Sequence, residues 1–404
     1  MCAPLYAALT FDLDQKSSIM RVLGTPVLAI EWALIALAFL GGFRPLPAIK
    51  ALPRPVSWAL GIWAVFATTA AFTAVERAPA LIFLFLSATH VLTAFALYDR
   101  FAASWQAQRK AALLALATGI VIFAAMAHLF ALLGQGTASF DWMLFGMGVS
   151  NVRHLGFYAV ALAGLGMGML AATRAEARWL PAAAVAAAGI YFAAWTGGRS
   201  PFVAIFVVAA IITAIMGSRG RWKVAGALAA LVAIMMPLTF VTAPDSEFYG
   251  LENIIGRTTI EAEAKSPSVG RRTDMWSQTA EKIAERPFIG HGQNNWQSQV
   301  PASYNHNAHP HNAVMQVLFD WGIPGALALL VIAVMGLMRI PGWIAADRTL
   351  ALPALGALAA LGVMSMTDGV LFFVFPQFVI AICVAVLASI GVRDGEPPKA
   401  QNPA

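Results

Sequence analysis

The chain of 404 residues is 59% hydrophobic, and only 11% of its residues are charged, about half the charged fraction of an average soluble domain. This composition excludes an ordinary soluble enzyme and predicts a polytopic α-helical membrane protein, because apolar stretches long enough to cross a bilayer recur along the chain. The net charge of +6 does not indicate a nucleic-acid partner, since the basic residues lie in short connections between apolar stretches. The two cysteines, Cys2 and Cys383, do not predict a disulfide framework.

We predict eleven transmembrane spans, eight before a long polar loop and three after it. The first 21 residues are mixed and polar, and we expect no cleavable signal peptide, because the first apolar stretch is long and lacks a small-residue cleavage site. Residues 391–404 contain three prolines and predict a disordered tail. The predicted spans are 22–42, 56–75, 79–98, 111–133, 154–173, 180–196, 200–217, 222–243, 323–339, 351–366 and 369–390.

The basic residues of the short connections predict the orientation, because cytoplasmic loops are enriched in Lys and Arg. Successive connections lie on alternate sides of the membrane and so form two sets. One set carries most of the basic residues. The other set, the long loop aside, carries only Arg77, Arg153 and Arg199. The second set and the loop therefore face the outer side of the membrane. The predicted domains are an N-terminal bundle (1–243), the loop (244–322), the C-terminal helices (323–390) and the tail (391–404).

The loop is the one sizeable segment outside the membrane, and a loop of this length is usually functional. Its residues 272–286 predict an amphipathic helix that Pro287 ends. Trp276 suits a membrane interface, so this helix is expected to lie on the bilayer surface above the bundle. Gly290-His291-Gly292 predicts a turn and not a nucleotide loop.

The segment from His309 to Gly325 joins the loop to the next span. Asn312 is a favourable N-cap, so a helix is expected to begin just after it and to break at Gly322-Ile323-Pro324-Gly325. His311 then lies at a helix N-terminus, where the helix dipole and nearby cations disfavour the imidazolium form. A neutral imidazole is suited to act as a general base. The alternative is that His311 is a polar interface residue without chemistry.

Two arginine positions face the same side of the membrane as His311. Arg199 stands in the short connection Thr196-Gly197-Gly198-Arg199-Ser200, and Arg271 and Arg272 open the loop helix. Guanidinium groups bind phosphate oxygens in a bidentate manner and stay charged at any relevant pH, so these residues suit a lipid-linked diphosphate. The alternatives are a snorkelling anchor for Arg199 and surface charges that meet lipid headgroups for the pair.

The sequence gives no clear signal for a metal-dependent, nucleophile-based or nucleotide-binding active site. Asp12-Leu13-Asp14 has the spacing of a metal-binding D-x-D, but such a short match is common by chance. No nucleophile elbow, zinc-binding set or phosphate-binding loop motif is present, and we expect neither a metal nor a cofactor. His90 and His128 lie inside apolar spans and are expected to be satisfied by neighbouring helices, whereas Glu31 has no obvious partner.

At this point the motifs resemble those of the bacterial O-antigen ligase and Wzy-type polymerase superfamily. His311-Asn312, nine residues, then Gly322-Ile323-Pro324-Gly325 is similar to the ligase pattern. Three further pieces in the family order support the resemblance over roughly residues 140–390, namely Asn151-Val152-Arg153, the Arg199 turn, and Arg272 to Trp276 followed by Pro287-Phe288-Ile289-Gly290-His291-Gly292.

The resemblance implies a GT-C-like bundle of about 11–12 helices in the bacterial inner membrane, with its active site facing the periplasm. It implies metal-independent, inverting transfer of glycan from an undecaprenyl-diphosphate-linked donor to an acceptor hydroxyl, which in the ligases belongs to lipid A-core. By position, His311 is the base, and Arg199 and Arg272 hold the diphosphate. The residues expected to bind substrate are Arg153, Arg271, His309, Asn312 and Trp276.

Other functions stay open from sequence. A polysaccharide polymerase and a protein O-oligosaccharyltransferase share the family resemblance and differ in the acceptor. A lipid-glycan transporter would favour paired charges at mid-bilayer and internal repeats, and we find neither in the sequence. The loop is also suited to dock a partner without catalysing a reaction.

Overall fold

The structure is a computed structural model that describes residues 26–134, 152–173, 179–216, 218–244, 249–256, 268–300 and 308–391. Within these ranges the regular secondary structure is helical and contains no strand. The predicted class, an all-α polytopic membrane protein, is therefore confirmed. The predictions for Asp12, Asp14 and Asn151, and for the tail beyond residue 391, lie outside the described residues.

We number the described α-helices α1 to α15 in chain order; a short 3₁₀ helix, Val152–His154, precedes α6. The bounds are α1 Pro26–Leu40, α2 Pro45–Lys50, α3 Arg54–Thr73, α4 Arg77–Ala102, α5 Gln106–Gly134, α6 Leu155–Ala172, α7 Trp179–Trp195, α8 Arg199–Ile215, α9 Ser218–Thr242, α10 Gly250–Gly256, α11 Ser268–Glu285, α12 Trp296–Gln299, α13 Ala313–Ala346, α14 Arg348–Ser365 and α15 Val374–Ser389.

Each of the eleven predicted spans coincides with one of these helices. By length and composition, α3, α4, α5, α6, α9, α13 and α14 can cross a membrane. The other four, α1, α7, α8 and α15, are apolar but only 15 to 17 residues long, somewhat shorter than the ~20 residues of a typical span.

Several predicted bounds are wrong, and α5, for example, begins at Gln106 and not at residue 111. The loop helix begins at Ser268, one turn before the predicted residue 272. The predicted span 323–339 is the inner part of the much longer α13. The predicted span 369–390 begins only at Val374, because residues 366–373 form turns and bends between α14 and α15.

Helix α6 forms the centre of the bundle, and all of its residues except Met169 are buried. It packs closely against α7 and α14 because small residues face each other at both contacts. A Cβ atom on Gly164 would overlap the backbone of Gly356 in α14, and one on Gly166 would overlap the backbone of Ala186 in α7. Small residues of this kind let helix backbones approach within a membrane.

Two arginines tie connections to the ends of neighbouring helices. Arg348 donates a hydrogen bond to the carbonyl of Ala171 at 2.7 Å and so joins the start of α14 to the end of α6. Arg286 of the loop donates to the carbonyl of Thr73 at 3.0 Å, where α3 ends. The alternation of the connections and the side that faces the periplasm stay predictions.

The loop is attached to the bundle where α13 breaks. Gly322 has φ of 67° and ψ of −176°, a conformation that is essentially restricted to glycine. The break leaves backbone groups of α13 without partners inside the helix. The turn at residues 287–292 forms hydrogen bonds with these groups. Three backbone hydrogen bonds, given donor first, join the two segments: Ile323 to Pro287 at 2.7 Å, His291 to Phe319 at 2.7 Å and Gly292 to Asp320 at 3.0 Å. The predicted interruption of the helix is confirmed, and the structure adds that the loop docks on it.

We predict that Gly322→Ala destabilises the protein. A Cβ atom at residue 322 would lie 2.6 Å from the carbonyl carbon and oxygen of Phe288, and the backbone conformation alone costs roughly 1–3 kcal/mol for a non-glycine residue. Gly336→Ala, in the same helix with no atom within 4 Å of the added Cβ, is the matched control and should be neutral or slightly stabilising. Thermal unfolding in detergent measures both, and equal melting temperatures would contradict the docking role of Gly322.

Candidate active site

The segment His309-Pro310-His311-Asn312 forms a tight turn at the start of α13. Asn312 is the N-cap, as predicted, and its Oδ1 accepts a hydrogen bond from the backbone N–H of Met315 at 3.0 Å. His311 has φ of 52°, a left-handed conformation that is uncommon for a residue with a side chain. Its backbone N–H donates to Nδ1 of His309 at 3.2 Å. The turn thus holds the two imidazole rings edge to face, with centroids 4.3 Å apart.

Asp368, which the sequence analysis did not single out, contacts His311. Its Oδ1 lies 3.2 Å from Nδ1 of His311 and accepts the backbone N–H of Gly369 at 2.8 Å. Asn312 fixes this second turn as well, because its Nδ2 donates to the carbonyl of Met366 at 3.2 Å. One asparagine therefore caps the helix that follows His311 and holds the turn that carries its carboxylate partner.

Asp368 is an ionised carboxylate. Burial alone would raise its pKa, but opposing effects, of which the hydrogen bond from His311 is the largest, lower the pKa well below its ordinary value. His311 in turn has an acceptor for the proton on Nδ1. A carboxylate in this position fixes the tautomer of an imidazole and leaves Nε2 as the basic nitrogen.

His309 is a buried neighbour of the His311–Asp368 pair. Its side chain is 4% exposed and packs against Phe372 and Phe373, with ring centroids 5.1 and 5.7 Å away. It also lies so close to Gly369 that any side chain at that position would overlap the ring. Burial, followed by the charge of His311, lowers the pKa of His309 well below its ordinary value. His309 is therefore neutral at physiological pH.

Arg272 lies near this pair, and Arg199 lies near Arg272. Burial lowers the pKa of the Arg272 guanidinium, Asp368 raises it, and Arg199 lowers it again. These effects require Arg272 to lie within electrostatic range of both Asp368 and Arg199. Arg199 is the first residue of α8 and follows Gly197, whose φ of 63° permits the sharp turn. Arg272 therefore lies between two of the other groups of interest, with Arg199 near it on one side and Asp368, the partner of His311, near it on the other. Arg199 and Arg272 are more than 70 positions apart along the chain.

The five predicted substrate-binding residues have different surroundings. Trp276 holds the turn itself, because its Nε1 donates to the carbonyl of Pro310 at 2.8 Å. His309 and Asn312 contact residues of the site, as described above. Arg153 lies in the 3₁₀ helix next to His154, whose ring packs on Phe373 with a centroid distance of 4.2 Å. Arg271 belongs to α11, and its side chain lies outside the described residues.

The structure corrects one expectation about intramembrane charge. Glu31 of α1, expected to have no obvious partner, lies 2.8 Å from Nδ1 of His90 in α4, and both side chains are buried. Glu31 Oε2 and His90 Nε2 are buried without a hydrogen-bond partner in the described structure. The expectation that neighbouring helices satisfy His90 is therefore only partly met, and the bundle contains a paired intramembrane acid and base.

A comparison with known protein families finds a match over the segment that contains Arg199, Arg272 and His311. Residues 182–330 match a family model described as O-antigen ligase. This segment is similar to the O-antigen ligase family. A search of the curated proteins found no match. The resemblance drawn from the motifs is confirmed by the family match.

The ligase-family segment covers just over a third of the chain, from α7 to the middle of α13. It includes Arg199, Arg272 and His311, but Arg153 and Asp368 lie outside it. Asp368 could have been found from the sequence by one signal. Asp-Gly is a turn signal, and it stands between two apolar spans on the side of the membrane predicted for His311.

We predict that Trp276→Phe loosens the turn that holds the histidines. Phenylalanine retains most of the apolar contact but cannot donate to the carbonyl of Pro310. Amide hydrogen exchange of residues 308–312 should become faster, by roughly fivefold if the lost bond is worth about 1 kcal/mol. Trp179→Phe, at the exposed start of α7, is the matched control. Unchanged exchange in Trp276→Phe would show that the bond does not hold the turn.

Proposed function

We propose that this protein transfers glycan from an undecaprenyl-diphosphate-linked donor to an acceptor hydroxyl at the periplasmic face of the bacterial inner membrane. The observation that carries the proposal is the electrostatic cluster in which Arg272 lies near both Arg199 and the Asp368–His311 pair. A base and two cations in one place are what such a transfer requires. The match to the O-antigen ligase family supports the same class of reaction.

The two arginines bind the donor diphosphate in this proposal. Two guanidinium groups close together repel each other, and Arg272 is partly desolvated as well. An anion between them offsets both costs, and phosphate oxygens fit the guanidinium fork. The N-terminus of α8, where Arg199 stands, adds the positive end of a helix dipole. Charge grows on the diphosphate as it leaves, so fixed cations stabilise the transition state more than the ground state.

His311 activates the acceptor. Its Nδ1 proton is held by Asp368, so Nε2 takes the proton of the acceptor hydroxyl while the hydroxyl oxygen forms the new bond to the anomeric carbon. The bond from that carbon to the diphosphate oxygen breaks at the same time, and undecaprenyl diphosphate leaves. Attack from the face opposite the leaving group inverts the anomeric centre. No metal takes part in these steps.

The acceptor distinguishes the members of this reaction class. Lipid A-core is the acceptor we favour, because the His-Asn, nine residues, Gly-x-x-Gly pattern is similar to that of the ligases. A polymerase would use a second lipid-linked glycan, and a protein O-oligosaccharyltransferase a protein hydroxyl. Purified protein incubated with undecaprenyl-diphosphate-glycan and each acceptor in turn, with the product identified by mass, separates the three. Absence of any transfer product would refute the proposed function.

A second candidate, a lipid-glycan transporter, is favoured by one observation. Buried acid–base pairs inside membrane domains, such as Glu31–His90, often mark transport pathways. Proteoliposomes with fluorescent undecaprenyl-diphosphate-glycan distinguish the two functions, because a transporter moves the lipid between leaflets without an acceptor. Movement that depends on Glu31 and occurs without a transfer product would favour the transporter.

We predict that His311→Ala and Asp368→Asn both impair transfer. Loss of a general base typically costs 10²- to 10⁴-fold, so His311→Ala should lower the rate by at least about 10²-fold. Asp368→Asn keeps the shape of the side chain but no longer fixes the tautomer, and a loss of roughly 10²-fold or more is expected. Asp274→Asn, on the exposed face of α11, is the control. Normal transfer by His311→Ala, in protein with an unchanged melting temperature, would remove His311 from the mechanism.

We predict that Arg199→Lys is severely impaired although the charge is retained. Lysine presents a point charge and cannot form the bidentate contact with phosphate. The control is Arg286→Lys in the loop, because Arg286 binds a backbone carbonyl at the end of α3 and not the site. Initial rates over a range of donor concentrations measure the effect. If Arg199→Lys is as active as the parent protein, Arg199 does not clamp the diphosphate.

A further inference from the structure

The side chains that surround the proposed base also form a set of metal ligands. One nitrogen or oxygen from each of His309, His311 and Asp368 lies within 4.8 Å of the other two. We propose that these three residues bind a Zn²⁺ ion and that the bound ion inhibits glycan transfer. The binding site is independent of the reaction, whereas the inhibition depends on the proposed function of His311.

The donor set suits Zn²⁺. Two imidazole nitrogens and one carboxylate oxygen are common zinc ligands, and a fourth position stays open for water. Each of the three side chains offers one ligand atom, and these atoms lie within 4.8 Å of one another.

The ligands are held before any ion arrives. His309 is fixed between the phenylalanine rings and Gly369, and Asp368 is fixed by the N–H of Gly369. Asn312 ties the two turns together through the carbonyl of Met366. A preorganised set of this kind loses little conformational freedom when it binds an ion.

The arginines limit which cation can bind. Arg272 acts electrostatically on both His309 and Asp368, so it disfavours any nearby cation. Mg²⁺ and Ca²⁺ prefer oxygen ligands and gain little from two imidazoles, whereas Zn²⁺ forms strong bonds to nitrogen. We therefore expect binding of Zn²⁺ and its analogue Co²⁺ but not of Mg²⁺.

A bound ion removes the base whichever nitrogen of His311 it occupies. Coordination of Nε2 uses the lone pair that would accept the hydroxyl proton. Coordination of Nδ1 displaces the ring proton to Nε2, which then has no lone pair to offer. In both cases the neutral imidazole keeps one proton, and the acceptor hydroxyl is no longer activated.

The experiment uses the full-length protein in detergent, purified without a histidine tag and treated with chelator. Titration with Zn²⁺ by calorimetry, and with Co²⁺ by visible absorption, should show one site per chain, and Mg²⁺ should show none. His309→Gln and Asp368→Asn should weaken Zn²⁺ binding roughly tenfold or more, since even loss of an outer-shell partner often costs 10- to 100-fold. His128→Gln and Asp274→Asn, which change a histidine and an aspartate outside this set, should bind as the parent does.

Transfer assays give the second readout. Zn²⁺ should inhibit glycan transfer over the concentration range in which it binds, and EDTA should restore the activity. No Zn²⁺ binding, or binding that His309→Gln and Asp368→Asn leave unchanged in folded protein, would overturn the metal site and leave the proposed function intact. Zn²⁺ binding that depends on His309 and Asp368 but leaves glycan transfer unchanged would refute the inhibitory role. Binding in a protein that transfers no glycan would refute the proposed function but not the metal site.

Discussion

The break of α13 at Gly322 is the constraint on which the rest of the outer structure depends. In an uninterrupted helix the carbonyl of Phe319 would accept the N–H of Ile323, whereas the carbonyl of Asp320 would face Pro324, which has no N–H. Here they accept hydrogen bonds from the loop, and the loop carbonyl of Pro287 accepts from Ile323. Buried backbone groups near a membrane must be paired, so the break and the loop turn require each other.

This docking explains why two glycine motifs far apart in sequence act together. Gly290 lies against the backbone of Asp320 and Gly322, and Gly322 lies against the backbone of Phe288. The contact fixes the end of α11 on α13, and Trp276 then reaches the carbonyl of Pro310. The amphipathic helix is thereby held above the turn that carries His311, and Arg272, one turn before Trp276, is held beside Asp368.

The site combines one carboxylate with two arginines. Asp368 acts electrostatically on His309 and Arg272, and Arg199 acts on Arg272. A carboxylate that holds the base, together with two guanidinium groups, is what the proposed transfer from a lipid-linked diphosphate uses. The Glu31–His90 pair lies in other helices, α1 and α4, and the proposed reaction does not use it.

The sequence by itself determined the fold class, the eleven apolar helices, the N-cap at Asn312 and the break at Gly322, and it predicted His311, Arg199 and Arg272 as site residues. Each of these follows from local rules, such as hydropathy over a span, a capping side chain, or a family motif with fixed spacing. Only the tertiary structure decided that Asp368 holds His311, that Glu31 pairs with His90, that Trp276 fixes the turn and that α6 is central. These contacts join residues 34 to 59 positions apart or depend on how glycines face each other, and the packing of helices against one another is not encoded in any single stretch of the chain.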